Sequence, residues 1–143
     1  MNRQRIGILI IAIIGMLATF LPWVTATSTI DLTLLGTKSF TKTISTNLYG
    51  AITFIMFSIS LVISLLGDRT KALNQNQFYA VISPSIIAGI IGVWKIISTT
   101  PNDALKTTGF SVSIGIGLYL VVFAGLLLPI ITLLLKNKEG DLK

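Results

Sequence analysis

The 143-residue sequence contains no cysteine and no histidine, and only 11% of its residues are charged. The first absence excludes disulfides, thiolate nucleophiles and thiolate-bound metals. The second removes bis-histidine haem ligation and the commonest general acid–base side chain. The shortage of charge excludes more. Soluble domains carry about 25% charged residues, whereas this chain is 52% hydrophobic with a mean hydropathy of +0.86. So short a chain has no polar coat for that much apolar side chain. A bilayer supplies the missing apolar solvent, and residues 1–143 are expected to form a single membrane domain.

Carboxylates are equally sparse. Asp31, Asp68, Asp103, Glu139 and Asp141 are scattered along the chain, and nothing in their spacing brings two of them together. None lies within a long apolar run, where a proton- or cation-coupled transporter usually keeps a charge. Small multidrug exporters have a similar size but depend on a membrane-embedded glutamate, so that family is disfavoured. The "GIG" at 115–117 lacks the third glycine and the strand–helix context of a phosphate-binding loop. The net charge of +6 is spread over both ends and every loop, forming no basic face, so it reads as membrane topology rather than nucleic-acid affinity. No catalytic, cofactor-binding or metal-binding residue is nominated, no cofactor is expected, and the protein is not expected to be an enzyme.

What is present is apolar and periodic. Four runs, 6–24, 48–66, 78–97 and 112–135, approach the roughly 20 residues a membrane-crossing helix needs. They predict an all-α membrane protein, a four-transmembrane-helix bundle. Lys95, near the end of the third run, reads as a snorkelling anchor. With four crossings, Arg3, Arg5, Arg69, Lys71, Lys136, Lys138 and Lys143 share one side, and Lys38, Lys42, Lys95 and Lys106 the other. That bias places both termini in the cytoplasm of a multi-pass cell-membrane protein. Trp23 and Trp94 then fall at the outer ends of their helices, where amphipathic rings favour the lipid–water interface. The basic "MNRQR" and the "VTA" at 24–26 have the form of a cleavable signal, but a retained helix is expected.

Between the first two runs, residues 25–47 change period. Thr25, Thr27, Thr29, Asp31 and Thr33 alternate with Ala26, Ser28, Ile30, Leu32 and Leu34, and Phe40, Lys42 and Ile44 alternate with Thr41, Thr43 and Ser45. Period two with β-branched residues predicts strands, and Gly36 supplies a turn, giving an extracellular β-hairpin. The alternation at 109–113 offers a third strand after a turn at 101–103, making a small three-stranded sheet. Pro22 disfavours helical geometry at Leu21, so the first helix is expected to break there, at the interface, with Trp23 anchoring the depth.

In lipid, helices pack through small residues. Ser113, Gly117, Val121 and Gly125 form one stripe on the fourth run; Ser85, Gly89 and Gly92 mark the third, Gly7, Gly15 and Ala18 the first, and Ser60 and Ser64 the second. Pro22, Trp23, Trp94, Gly89, Gly92, Gly117 and Gly125 are therefore the candidate structural and interface residues. Pro84 and Pro129 are candidate kinks, and "NQNQ" at 74–77 reads as a solvated inner loop.

The motifs "LPWV", "GDRTKAL" and "GIGLYL" resemble those of small uncharacterised bacterial four-span membrane proteins, and the resemblance covers nearly the whole chain. It implies topology and carries no functional residues. The layout is also similar to that of claudins, which have inner termini and a β-rich first outer loop. The claudin signature of several tryptophans and two cysteines is missing, so only the layout is shared. Together these features lead to the expectation of a non-enzymatic integral membrane protein acting by contact, as an accessory, assembly or interaction subunit, through its outer β-rich face. Its expected partners are the lipid bilayer and a membrane or extracellular protein, with no nucleic acid; a homo-oligomer stays open. The alternatives are a small channel, holin-like pore or transporter, and an immunity protein against a membrane-active toxin.

Overall fold

A computed structural model describes residues 2–32, 36–44, 48–66, 68, 70–99 and 110–140. The described elements are four helices and three strands: α1 (Arg3–Ala18), β1 (Val24–Leu32), β2 (Gly36–Ile44), α2 (Leu48–Leu65), α3 (Gln75–Thr99), β3 (Phe110–Ile114) and α4 (Ile116–Gly140). Three helical stretches, Leu48–Leu65, Gln75–Thr99 and Ile116–Leu135, are long and apolar enough to cross a membrane. They make the chain a helical membrane protein. Gly36, the expected turn residue, opens β2 instead; residues 33–35 before it and the expected turn at 101–103 lie outside the described residues, as do Arg69, Lys106 and Asp103.

Each helix packs against two others, α1 on α2 and α4, and α3 on α2 and α4. The shared core holds Ile8, Phe57, Val81, Leu118, Val121 and Leu128, all fully buried. The apolar residues turned away from that core, such as Ile10, Ile55, Ile90 and Leu126, are exposed. A water-soluble protein would bury such a girdle, but a membrane solvates it. Interior hydroxyls are spent locally. Thr53, Ser60 and Thr132 each donate to a carbonyl four residues back in their own helix, and Ser60 also reaches Val81 O at 3.1 Å, linking α2 to α3. Among the described residues no buried side-chain nitrogen or oxygen lacks a partner, as an apolar interior requires.

The small residues sit where backbones meet. A Cβ on Gly125 would stand 2.7 Å from Gly89 Cα, so α3 and α4 cross backbone to backbone there. Gly92 faces Val121 and Val122 of α4, and Gly15 faces the Phe57 ring. Gly117 is pressed against the end of α1, where a Cβ would lie 2.8 Å from both Ala18 O and Leu21 O.

Three expectations are corrected. Helix α1 ends at Ala18 rather than running to 24, because tight turns (Thr19 N–H to Met16 O, Phe20 N–H to Leu17 O and Leu21 N–H to Ala18 O) close it before Pro22. Helix α4 begins at Ile116 rather than 112, and Ser113 lies in β3, so it is not on the helical stripe with Gly117. Trp23 is not an interface anchor: it is 0% exposed and belongs to the core. Pro84 and Pro129 both lie within helices.

Gly117→Leu should therefore drive the end of α1 and the start of α4 apart. Overpacking of this kind costs about 1–3 kcal/mol. Thermal unfolding in detergent is expected to show Gly117→Leu melting below wild type, with Leu127→Ala as a control at a half-buried position; an unchanged midpoint would refute the close approach.

Candidate functional site

Two constructions stand out, one at each end of the helices. The first supports the sheet. Once α1 has closed, Pro22 and Trp23 leave two carbonyls in a crowded place. The start of α4 answers both: Gly115 N–H donates to Trp23 O at 2.8 Å, and Gly117 N–H to Pro22 O at 3.1 Å. The exchange also satisfies a donor that the first turn of α4 cannot pair internally. Gly115 must be glycine, since a Cβ would overlap the Pro22 carbonyl. The Trp23 indole N–H reaches back to Ala18 O at 3.4 Å, giving the buried ring the partner its one donor needs.

From this base β1 leaves as the middle strand of an antiparallel sheet, order β2-β1-β3. Val24 is opposite Ile44 on one side and Ile114 on the other, so all three strands share one base line. The register sorts residue types by face. Thr25, Thr27, Thr29 and Asp31 align with Thr43, Thr41, Ser39 and Thr37, and Thr25 and Thr27 also align with Ser113 and Ser111. Because side chains alternate across a strand, one face is almost wholly threonine and serine. The alternate positions pair Ala26 with Lys42 and Val112, Ser28 with Phe40 and Phe110, and Ile30 with Lys38. That second face is largely apolar and carries two lysines. Near the same end, Trp94 is exposed on α3 with its ring centroid 5.6 Å from that of Tyr49, and the Lys95 ammonium lies 5.2 Å from the Tyr49 centroid.

The second construction sits at the opposite end and corrects the reading of Arg5 as a simple topological charge. Arg5 is only 2% exposed. Its guanidinium donates from Nη1 to Ser64 O (2.9 Å) and Leu66 O (2.6 Å), from Nε to Lys71 O (2.9 Å), and from Nη2 to Gln77 Oε1 (3.2 Å). Ser64 lies in the last turn of α2 and Leu66 directly follows it, where the final carbonyls have no helical donors and carry the negative end of the helix dipole. A fixed fork of donors suits that cluster, which a single ammonium could not span. Beside it, the fully buried Gln4 donates to Thr132 O of α4 at 2.8 Å and accepts from Leu73 N–H at 3.1 Å. Two consecutive side chains thus tie α1 to α2, α4 and the α2–α3 connection.

The "NQNQ" segment is correspondingly more than solvated loop. Asn74 caps α3, accepting from Gln75 N–H, while Gln77 Oε1 takes Asn74 N–H at 3.3 Å. This is half of a reciprocal cap, and Gln77 also receives Arg5. The Asn-x-x-Gln spacing was a readable signal for it. Asp68, on the exposed turn, accepts from Thr70 Oγ1 at 2.6 Å and lies 3.7 Å from the Lys71 ammonium. The Thr70 hydrogen bonds, and then Lys71, hold its carboxyl below the ordinary carboxylate range.

Among the described residues, no group of three or more His, Cys, Asp or Glu could hold a metal ion. Pro22, Trp23 and Gly117 converge on the base of the sheet, Gly89, Gly92 and Gly125 on the α3–α4 crossing, and Trp94 stands apart on the surface. No family model, curated protein or solved structure matches the chain.

Arg5→Met should take a donor from four acceptors in a poorly solvated place, of which Leu66 O and Gln77 Oε1 keep a second one. With hydrogen bonds to charged groups worth about 1.5–3 kcal/mol each and partial relaxation toward water, the loss is expected to be about 2–5 kcal/mol. Arg5→Lys should recover only part of it. The check is the order of melting midpoints in detergent, wild type above Arg5→Lys above Arg5→Met.

Proposed function

We propose that the chain is a non-enzymatic integral membrane protein of the small bacterial four-span type. It crosses the bilayer four times, keeps both termini in the cytoplasm, and acts by contact through the sheet at its extracellular end. The fourth crossing in this reading is α1. Its 16 residues cover about 24 Å at 1.5 Å each, and the turn through Phe20 and Leu21 extends it. Ile6, Ile10, Ile13, Ile14 and Leu17 are exposed along it, as on its three longer neighbours. The excess of Lys and Arg at the opposite end from the sheet supports cytoplasmic termini.

The observation that carries the contact role is the sheet itself. Its base is fixed by hydrogen bonds between the junction after α1 and the start of α4, and Thr41, Ser111 and Ser113 of its hydroxyl face are exposed. A surface so anchored and so uncovered is suited to meeting something else. The buried helical core, with its hydroxyls bonded to their own helices, favours contact over conduction through one copy.

Reporter fusions at the C-terminus should be active only as cytoplasmic reporters. A photo-crosslinking residue at Thr41, which is exposed on the hydroxyl face, should give a discrete protein adduct in native membranes, whereas one at the exposed Ile59 of α2 should not. A reconstituted protein that conducts ions at low protein-to-lipid ratio, without any adduct from Thr41, would replace the contact reading with a pore.

A further inference from the structure

We infer that Lys95, Tyr49 and Trp94 form a headgroup site for an anionic phospholipid at the sheet end of the α2–α3 seam. The inference rests on the reading of these helices as membrane-crossing, and names a ligand which that reading leaves open.

Two helices build the site. Helix α3 carries a single charged residue, Lys95, about one turn short of its end at Thr99. Tyr49 lies in the first turn of α2. The seam therefore reaches the level at which both helices leave the hydrocarbon with a cation and an aromatic ring side by side. The Lys95 ammonium is 5.2 Å from the Tyr49 centroid, close enough for the negative face of the ring to attract it. The Trp94 ring flanks Tyr49, with the two centroids 5.6 Å apart. Tyr49 and Lys95 are half-buried, whereas the neighbouring Leu48, Trp94 and Ile97 are exposed. The patch is thus open to whatever solvates this end of the helices.

Charge decides between the occupants. Among the described residues the one ion pair joins Lys71 to Asp68, at the opposite end of the helices, and no carboxylate meets Lys95. An ammonium beside hydrocarbon is costly without a counter-charge. An anionic lipid supplies one: its phosphate meets the lysine, whose long stem reaches that depth, and its acyl chains meet the exposed apolar residues. The amphipathic ring of Trp94 suits the same layer. A choline headgroup would bring its own cation to the aromatic faces, but Lys95 already holds the face of Tyr49 and repels it. A second copy packed here about a two-fold axis would set one Lys95 near the other, with no acid between them.

The intrinsic fluorescence of Trp94 reads the site in the full chain. The protein is placed in nanodiscs of phosphatidylcholine that contain nitroxide-labelled phosphatidylglycerol or, in a matched series, nitroxide-labelled phosphatidylcholine, with the label high on an acyl chain. Trp94→Phe samples give the Trp23 background to subtract. The anionic lipid should quench Trp94 at a mole fraction roughly fivefold lower than the zwitterionic one, the usual contribution of a single lysine facing an anionic headgroup. Lys95→Gln should remove that preference and Lys95→Arg should keep it. Molar salt should shrink it in the wild type, because the attraction is screened.

Equal quenching by the two lipids in the wild type would overturn the site and leave the crossing helices standing, since Trp94 would still lie at lipid depth. So would a preference that survives Lys95→Gln or, should that variant not fold, one that molar salt leaves untouched. A preference that appears only in Asp103→Asn would assign Lys95 to a carboxylate of the chain itself. Quenching that fades as the protein-to-lipid ratio rises would assign the patch to a second copy. Either result overturns the proposal. Absence of quenching by both lipids would put this end of the helices outside the bilayer, and would remove the membrane-crossing reading together with the site.

Discussion

In hydrocarbon, a backbone N–H or C=O left without a partner has no water to turn to. Buried backbone groups at both ends of α1 meet a similar demand, and each end finds partners elsewhere in the chain. At the sheet end, the turns that close the helix leave the Pro22 and Trp23 carbonyls exposed to the packing, and Gly115 and Gly117 of another segment satisfy them. At the other end, Arg5 takes up carbonyls with which α2 and its connection finish, and Gln4 donates to Thr132 O of α4 while accepting from Leu73 N–H. Remove either set of bonds and the adjoining chain loses its reason to follow its path. The sheet starts where it does because its first residues follow a closed and paired junction.

Between those ends the helices hold together by fit. Lipid chains are as apolar as leucine, so burial alone gives little reason for helices to associate. Gly89 against Gly125 brings two backbones close enough for dispersion contacts along the crossing, and Gly15 makes room for the Phe57 ring. Across the α2–α3 contact the Ser60 hydroxyl donates to Val81 O, and nearer the sheet the Tyr49 ring meets Trp94 and the Lys95 ammonium. Shape carries specificity here, while the polar bonds are held back for the ends.

Much of this was legible in the sequence. Length and hydropathy marked α2, α3 and α4, and period-two alternation marked the strands, including the third. The helix limits were less readable, because hydropathy does not stop where the helix stops: Phe20 and Leu21 lie in a turn and Val112 in a strand, yet all three are as apolar as their helical neighbours. Trp23 gave no warning of its burial, since a tryptophan after a proline at the end of an apolar run suits a lipid interface equally well. Arg5 was hidden for a similar reason. A basic residue near an N-terminus is normally a solvated charge, and what buries this one is a set of carbonyls far away in the chain. Gln77 could have been found through its spacing from Asn74, a capping pattern overlooked beside the polarity of the segment.

The distance to those carbonyls has a consequence for how the protein is made. Arg5 finds its acceptors 59 to 72 residues further along the chain, and Gln4 finds Thr132 128 residues on. During synthesis the first helix is therefore complete while most of its partners do not yet exist. Its guanidinium has to stay hydrated until α2 and the start of α3 have emerged, and only then can it give up that water for protein oxygen. Helix α1 is made before the elements that seat it, and the Arg5 charge stays in water until those later helices arrive.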